Sequence, residues 1–373
     1  MFSAEYLLAK EVLWMESRMS LAGAAAELLD RLANIGALVG RVSVRPYRSG
    51  ADGLRIAARS LESADAFRPS DREKAMQTLA SVKPKPLTGE SGGAFVARTE
   101  SGARSLYKPG LLENMPLIPF PTHLERNPPV LFSEPRRCRY GIPFGGGHLA
   151  ARAVSAYRLA EALGFELVPP TGFANGPFGR GSNQLWVAAR ESYPARAARK
   201  FKDEISSHTP SGSDLERWLE NRQWEKQGVV AAAHLLYPKY QREQMAVVDY
   251  IIANTDRNHG NLGTDDNGGI VALDHDLSFP EAPDSFWGIR SEFVKEFRYL
   301  ELSSSVLEAV RAVDREWLRA GWIDAGLSDT AISGAFDRLQ EICDHSRIIG
   351  AAWPGPINGA ILLPDLRGLP VGW

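Results

Sequence analysis

Residues 249–261, DYIIANTDRNHGN, constrain this chain more than any other stretch. An apolar helical segment stops abruptly, and Asp, Arg, Asn, His and Gly then crowd one turn. Downstream come a short apolar run, the turn TDDNGG and the segment IVALD, which ends in Asp274-His275-Asp276. The pattern predicts a helix ending near Asn254, a polar loop, and a hairpin whose second strand delivers Asp274. Such a hairpin returns Asp274 to the side where Asn261 leaves the loop.

Three features recur in ATP-dependent phosphoryl transfer: a loop Asp near the attacking hydroxyl, an Asn five residues later on metal, and a further metal-binding Asp on a strand beyond a turn. Asp256, Asn261 and Asp274 have that order and that step. The residue types suit the chemistry, because Mg²⁺ is a hard cation that takes carboxylate and carbonyl oxygens. Other readings of the same residues stand beside this one. Asp, Asn and Gly also build solvated loops held by Asx turns, with no function. His259 and His275, flanked by carboxylates, are of the type that binds transition metals, although neither belongs to a paired His motif. DDNGG resembles part of a calcium loop but lacks the ligand ladder that ends in Glu.

Upstream, GGAFVARTESGARSLYKPG reads as a second hairpin: a strand through Phe95 and Val96, a turn at Glu100-Ser101-Gly102, and a return strand through Leu106 and Tyr107 to Lys108. Glycines ahead of the first strand let backbone N–H groups approach a ligand, and a lysine on the return strand can neutralise phosphate. The same residues also suit an ordinary hairpin. Residues 109–147 are proline-rich and predict an extended surface insertion. HLAARAVSAYRLAEALGF predicts a helix closed by Gly164, and GSNQLWVAAR a buried strand. The rest is mainly helical, including DLERWLENRQW, KQGVVAAAHLLY, REQMAVVDYIIA, SSVLEAVRAVDREWLRAGW and DTAISGAFDRLQEICDHS. Residues 1–40 predict two further helices. The expected division is a helical extension over 1–80, a strand-rich lobe over 81–190 and a helical lobe over 191–373, an α+β fold.

Composition narrows the field. At 373 residues with net charge −2, the chain lacks the basic excess of a nucleic-acid binder that works by bulk electrostatics. Cys138 and Cys343 are too few for a disulfide scaffold or cysteine zinc site, which predicts a cytosolic setting. The first twenty residues interleave acids with apolar positions, unlike a signal peptide, and no apolar run suggests a transmembrane segment.

VVDYIIANTDRNHGN and IVALDHDLSFP resemble the catalytic and metal-binding segments of the phosphatidylinositol 3-/4-kinase-like family, closest to its type II phosphatidylinositol 4-kinase branch and related bacterial kinases. The similarity to HipA-type kinases is more distant. It continues through SGGAFVARTESGARSLYKPG, GFELVPPT and GSNQLWV, over roughly residues 85–300. The resemblance implies a bilobed protein-kinase-like fold with ATP in the cleft. Carried over by position, Ser91, Gly92 and Gly93 would cover the phosphates and Lys108 would contact them. Gln184, Leu185, Trp186 and Val187 would form the hinge strand facing adenine. Asp256 would orient or deprotonate the acceptor hydroxyl with Arg257 beside it, and Asn261 and Asp274 would hold Mg²⁺. One departure is plain: the helix that supplies a Glu to the strand lysine in the family has Ala153 in that slot. Asn258 and Asp276 also differ, with Asp276 standing where relatives often have Gly or Asn.

The acceptor is expected to be a protein Ser or Thr. Phosphoinositide recognition favours cations near the activation segment, yet LSFPEAPDSFWGIRSEFVKEF sets Glu281, Asp284, Glu292 and Glu296 against Arg290 and Lys295. A lipid kinase with peripheral membrane contact is the alternative; Cys138 in PRRCRYG offers one weak handle, and a single acyl chain anchors only marginally. A pseudokinase acting by binding is a second alternative, suggested by Ala153, and nucleotidyl transfer to a protein is a third.

Overall fold

A computed structural model describes residues 67–80, 84–87, 93–113, 141–143, 147–206, 226, 228–282 and 288–358. The helices expected in 1–40, the segment DLERWLENRQW, Cys138, Asp284 and Trp287 lie outside them.

The first lobe is a five-stranded antiparallel sheet. Strands β1 (Lys85–Pro86), β2 (Phe95–Arg98), β3 (Arg104–Pro109), β4 (Thr171–Gly176) and β5 (Gly179–Leu185) lie in the order β1-β2-β3-β5-β4. The β2–β3 hairpin pairs Phe95 with Tyr107 and Arg98 with Arg104, and Gly102 takes the left-handed conformation its turn requires. Alternation along β3 buries Ser105 and Tyr107 on one face and leaves Leu106 and Lys108 half-buried on the other. Strand β5 runs against β3 with Lys108 opposite Ser182 and Pro109 opposite Gly181. A methyl group at Gly181 would collide with the Lys108 carbonyl, so only glycine permits this approach. GSNQLWVAAR is thus a strand as expected, but one that ends at Leu185 and is half-buried from Gln184 to Val187.

Helix α1 (Asp71–Lys74) precedes the sheet, and α2 (His148–Ala162) packs on it. Residues 67–80, expected within the extension, pack into the folded body. Glu73 is fully buried and accepts from Arg158 Nε at 3.0 Å and Nη2 at 2.6 Å, and the Phe67 ring lies under the Arg158 guanidinium. The expected surface insertion is also inward-facing at both described ends. Ile142 is completely buried, and the Glu113 carboxylate accepts from Leu149 N at 3.1 Å and Ala150 N at 2.8 Å. Glu113 therefore caps the free N–H groups of α2, a task its own N-cap residue, Gly147, leaves undone.

The second lobe is built around α4 (Lys239–Ile251), reached through β6 (Arg190–Glu191) and α3 (Tyr193–Ser206). Met245, Ala246, Val247, Val248, Tyr250 and Ile251 are all fully buried. A stretch buried on every side belongs in a core, and helices α5 (Glu292–Phe297), α6 (Ser304–Arg311), α7 (Arg315–Ala325) and α8 (Asp329–His345) help enclose this C-terminal half of α4. Trp322 fills that core, its indole donating to Ser155 O. β6, β7 (Leu262–Thr264) and β8 (Ile270–Ala272) form a three-stranded antiparallel sheet, and β9 (Ile289–Arg290) pairs in parallel with β10 (Ile357–Asn358). The architecture is α+β, with a small sheet lobe and a larger helical lobe.

Candidate active site

A buried acid creates the framework. Asp249 lies in the fully buried C-terminal half of helix α4 at 0 % exposure, where an unpaired carboxylate would be costly. Arg257 answers it from the polar loop: Nε lies 3.3 Å from both Asp249 oxygens and Nη2 lies 3.2 Å from Oδ1. Asn254 Nδ2 and Ser291 Oγ also donate to Asp249, at 3.0 and 2.8 Å. The other arm of Arg257, Nη1, donates to the carbonyls of Asn261 and Leu273, both at 2.7 Å. One guanidinium thus ties helix α4, the end of the loop and the exit of β8 together.

The hairpin completes the convergence. Leu262 pairs with Ala272, and Leu273 N donates to Asn261 O at 3.0 Å, so Asp274 emerges beside Asn261. Asp274 sits at φ +51, a left-handed conformation disfavoured for a residue with a Cβ. Its Oδ1 accepts from Lys108 Nζ at 2.7 Å, and Asp276 Oδ2 lies 3.2 Å from the same ammonium. Strand β3 of the sheet lobe and the segment after β8 therefore meet at one cation between the lobes.

Asp256 is held from both sides. Asn258 Nδ2 donates to Oδ1 and Asn261 Nδ2 to Oδ2, each at 3.1 Å, and Asn261 Nδ2 also donates to Asp256 O at 2.8 Å. With its amide nitrogen so engaged, Asn261 keeps its amide oxygen for a cation. Asn258 Oδ1 meanwhile accepts from Gly260 N and Asn261 N at 2.7 and 3.2 Å. The Asx geometry weighed as an alternative is present, and it is what holds the loop.

Electrostatics follow from burial and proximity. Burial raises the Asp256 carboxyl, and the nearby Arg290 charge partly offsets this. Burial works against a charged Lys108, but Asp274 and Asp276 outweigh it and hold the ammonium above the usual lysine range. At Asp274 burial opposes ionisation and the Lys108 charge and hydrogen bond prevail, lowering it; at Asp276 burial and the Asp274 charge prevail, raising it. His275 is buried, held neutral by burial and by Arg257, and its Nε2 has no hydrogen-bond partner among the described residues.

Among the described residues, no group of three or more His, Cys, Asp and Glu side chains gathers as a self-sufficient metal site. The donor set of Asp274 carboxylate and Asn261 amide oxygen fits Mg²⁺, which typically takes one or two protein oxygens and completes its shell with phosphate and water.

Of the remaining residues predicted for nucleotide, Gly93 lies at φ +62 ahead of β2, where an added Cβ would come within 3.1 Å of Leu112 Cβ. Ser91 and Gly92 lie outside the described residues. Gln184 and Leu185 end β5; Trp186 and Val187 follow it, with the Arg104 guanidinium 3.8 Å over the Trp186 ring. Gln184 Nε2 donates to Thr171 Oγ1 at 3.0 Å. The sequence reading missed Asp249 and Glu113. An acid inside VVDYIIA was the available signal for the first; none marked the second.

The chain is similar to known proteins over part of its length. Residues 184–297 match the phosphatidylinositol 3- and 4-kinase family. The matched span contains the polar loop, the β7–β8 hairpin, Asp274 and Asp276. Over 139 residues, 36 % of the chain, the sequence is 34 % identical to Protein Rv2133c of Mycobacterium tuberculosis (strain ATCC 25618 / H37Rv). The chain spans about half of that relative, 48 % of its length. Similar solved structures include the golgi casein kinase, at TM-score 0.39 and 11 % identity with 74 % of each chain covered. The same kinase with Mn/ADP bound is similar at TM-score 0.39 and 12 % identity over 79 % of each chain. The Helicobacter pylori proinflammatory kinase CtkA has TM-score 0.36 and 12 % identity, with 73 % of this chain and 94 % of that one covered.

Proposed function

We propose that the protein is an ATP- and Mg²⁺-dependent kinase that transfers the γ-phosphoryl group to a hydroxyl, with protein Ser or Thr as the acceptor. The observation that carries this reading is the meeting of Lys108, Asp274, Asn261 and Asp256 across the two lobes, with Lys108 Nζ 2.7 Å from Asp274 Oδ1 and Asn261 Nδ2 3.1 Å from Asp256 Oδ2. Phosphoryl transfer needs mainly positioning and charge neutralisation, and these residues supply both.

In this mechanism Lys108 donates to the phosphates, and Gly93 allows the backbone near them. The edge formed by Gln184, Leu185, Trp186 and Val187 receives the adenine. Asp274 and Asn261 would hold Mg²⁺, which supplies charge neutralisation for the β- and γ-phosphates. Asp256 orients the acceptor hydroxyl and takes its proton as the oxygen attacks; burial, by raising this carboxyl, makes it a better proton acceptor. Arg257 touches no reactant in this scheme and serves as the clamp that sets the loop.

The protein acceptor is favoured over a lipid headgroup by the fate of the activation-segment cations. Arg290 is 3 % exposed, so among the described residues of that segment Lys295, 64 % exposed and 3.9 Å from Glu292, is the one cation at the surface, thin charge for a phosphorylated headgroup. The family match favours the lipid alternative, so both acceptors enter one experiment. Purified protein is incubated with γ-labelled ATP, Mg²⁺, a cell lysate and phosphoinositide vesicles, wild type beside Asp274→Ala. Label in protein that is lost with Asp274→Ala is the expected result. Label in lipid reverses the choice of acceptor, and absence of Asp274-dependent label refutes the kinase.

A further inference from the structure

Lysine 108 receives no carboxylate from helix α2. Ala153 occupies the slot where the resemblance predicts a Glu, and the one acid in the helix, Glu161, accepts from Tyr157 OH at 2.7 Å. Glu113, the acid that follows β3 most closely, is committed to the N–H groups of Leu149 and Ala150. Both acids on Lys108 come instead from Asp274-His275-Asp276. The intervening His275 is buried, and the two carboxylates on either side of it reach the same ammonium at 2.7 and 3.2 Å.

Two acids on one lysine exceed what the lysine needs, unless one of them has a second task. Under the proposed function Asp274 is that one, because it faces the metal. We propose that Asp276 is the positioning residue for Lys108 in the nucleotide-loaded enzyme, replacing the helix glutamate that Ala153 lacks. It resides in the same segment as the metal-binding Asp, so lysine placement and metal placement depend on one turn rather than on docking of α2. This inference rests on the kinase reading for the identity of the ligand. The chain retains a carboxyl partner for its lysine, which answers the ground on which Ala153 suggested a pseudokinase.

The competing role for Asp276 is that of a further metal ligand, and a double-mutant cycle separates the two. Full-length wild type, Asp276→Asn, Lys108→Met and the double variant are titrated with ADP in the presence of Mn²⁺, and Mn²⁺ affinity at saturating ADP is read by electron paramagnetic resonance. The expected result is that Asp276→Asn weakens ADP binding about tenfold in the wild-type background and less than about twofold when Lys108 is already Met. Mn²⁺ affinity stays within about twofold, and Asp276→Glu, which keeps the charge, retains most of the binding. Thermal unfolding of each variant establishes that it is folded. An Asp276→Asn effect of equal size in both backgrounds, or one that appears in Mn²⁺ affinity, overturns the assignment. Because the readout is binding, a wild type that binds Mn²⁺ and ADP without transferring phosphate refutes the kinase reading and leaves this pairing separately decided.

Discussion

Arg257 is the residue whose loss the structure predicts to be most costly. Replacing it with Ala leaves Asp249 at 0 % exposure with no cation, retaining Asn254 Nδ2 and Ser291 Oγ as donors. Breaking a buried pair from one side costs roughly 3–5 kcal/mol. The carbonyls of Asn261 and Leu273 each lose a 2.7 Å hydrogen bond, at about 1–3 kcal/mol apiece where water does not replace it. Water entering the vacated space offsets part of this, so about 4–6 kcal/mol is the expected loss, a large share of a typical folding stability of about 5–15 kcal/mol. Arg257→Lys keeps the charge but loses the planar fork that reaches one carboxylate and two carbonyls, and should cost about 1–3 kcal/mol. The assay is urea unfolding followed by tryptophan fluorescence, with midpoints and slopes compared between variants. A further consequence is specific to the site: Arg257→Lys should lower turnover at saturating ATP, because the carbonyl tie holding Asn261 beside Asp274 is loosened. Loss of less than about 1 kcal/mol in Arg257→Ala would refute the clamp, since that is the range of an ordinary substitution.

Asp256→Asn should fold normally and lower kcat by about 10²–10⁴-fold, the usual contribution of a positioned base, which steady-state ATP turnover would measure. Glu341 accepts from Tyr250 OH, Ile349 N and Gly350 N at 2.8 Å each and from Ala352 N at 2.6 Å, so Glu341→Ala should cost at least about 3 kcal/mol by urea unfolding. Burial pushes the Glu113 carboxyl up to about 7 from an ordinary 4.5, although the N–H groups of Ala150 and Leu149 oppose it. The folded state then holds a proton that the unfolded chain releases, so this group's stabilisation is complete below about pH 4.5 and lost as pH rises through about 7. Wild type should therefore lose about 3 kcal/mol relative to Glu113→Gln across that window, and parallel curves for the two proteins would contradict the burial-driven shift.

Much of the site was legible because its signals are local. The step from Asp256 to Asn261 and the hairpin returning to Asp274 follow from turn residues and alternation within one stretch, and the Lys108 hairpin is equally short-range. What escaped depends on contacts between distant segments. Glu73 pairs with Arg158 across 85 positions, which drew residues 67–80 out of the expected extension and into the folded body. Glu113 caps a helix that begins 35 positions later, across the segment expected to be a surface insertion. Nothing in the local composition of either acid marks a buried partner. Asp249 was closer to legible, since a charge inside an apolar helix demands a counter-charge, but choosing Arg257 required knowing how the loop turns. Asp276 shows the converse: marked in the sequence only as a departure from the resembled family, it pairs with a lysine 168 positions away.

The site as a whole is tested most directly by a crystal structure of the protein with ADP and Mn²⁺, using anomalous scattering to locate the metal. The account predicts a peak within coordination distance of the Asn261 amide oxygen and the Asp274 carboxylate, with Lys108 on the diphosphate and Asp256 facing the acceptor side. Nucleotide bound away from Lys108, or metal bound away from Asn261 and Asp274, would contradict it.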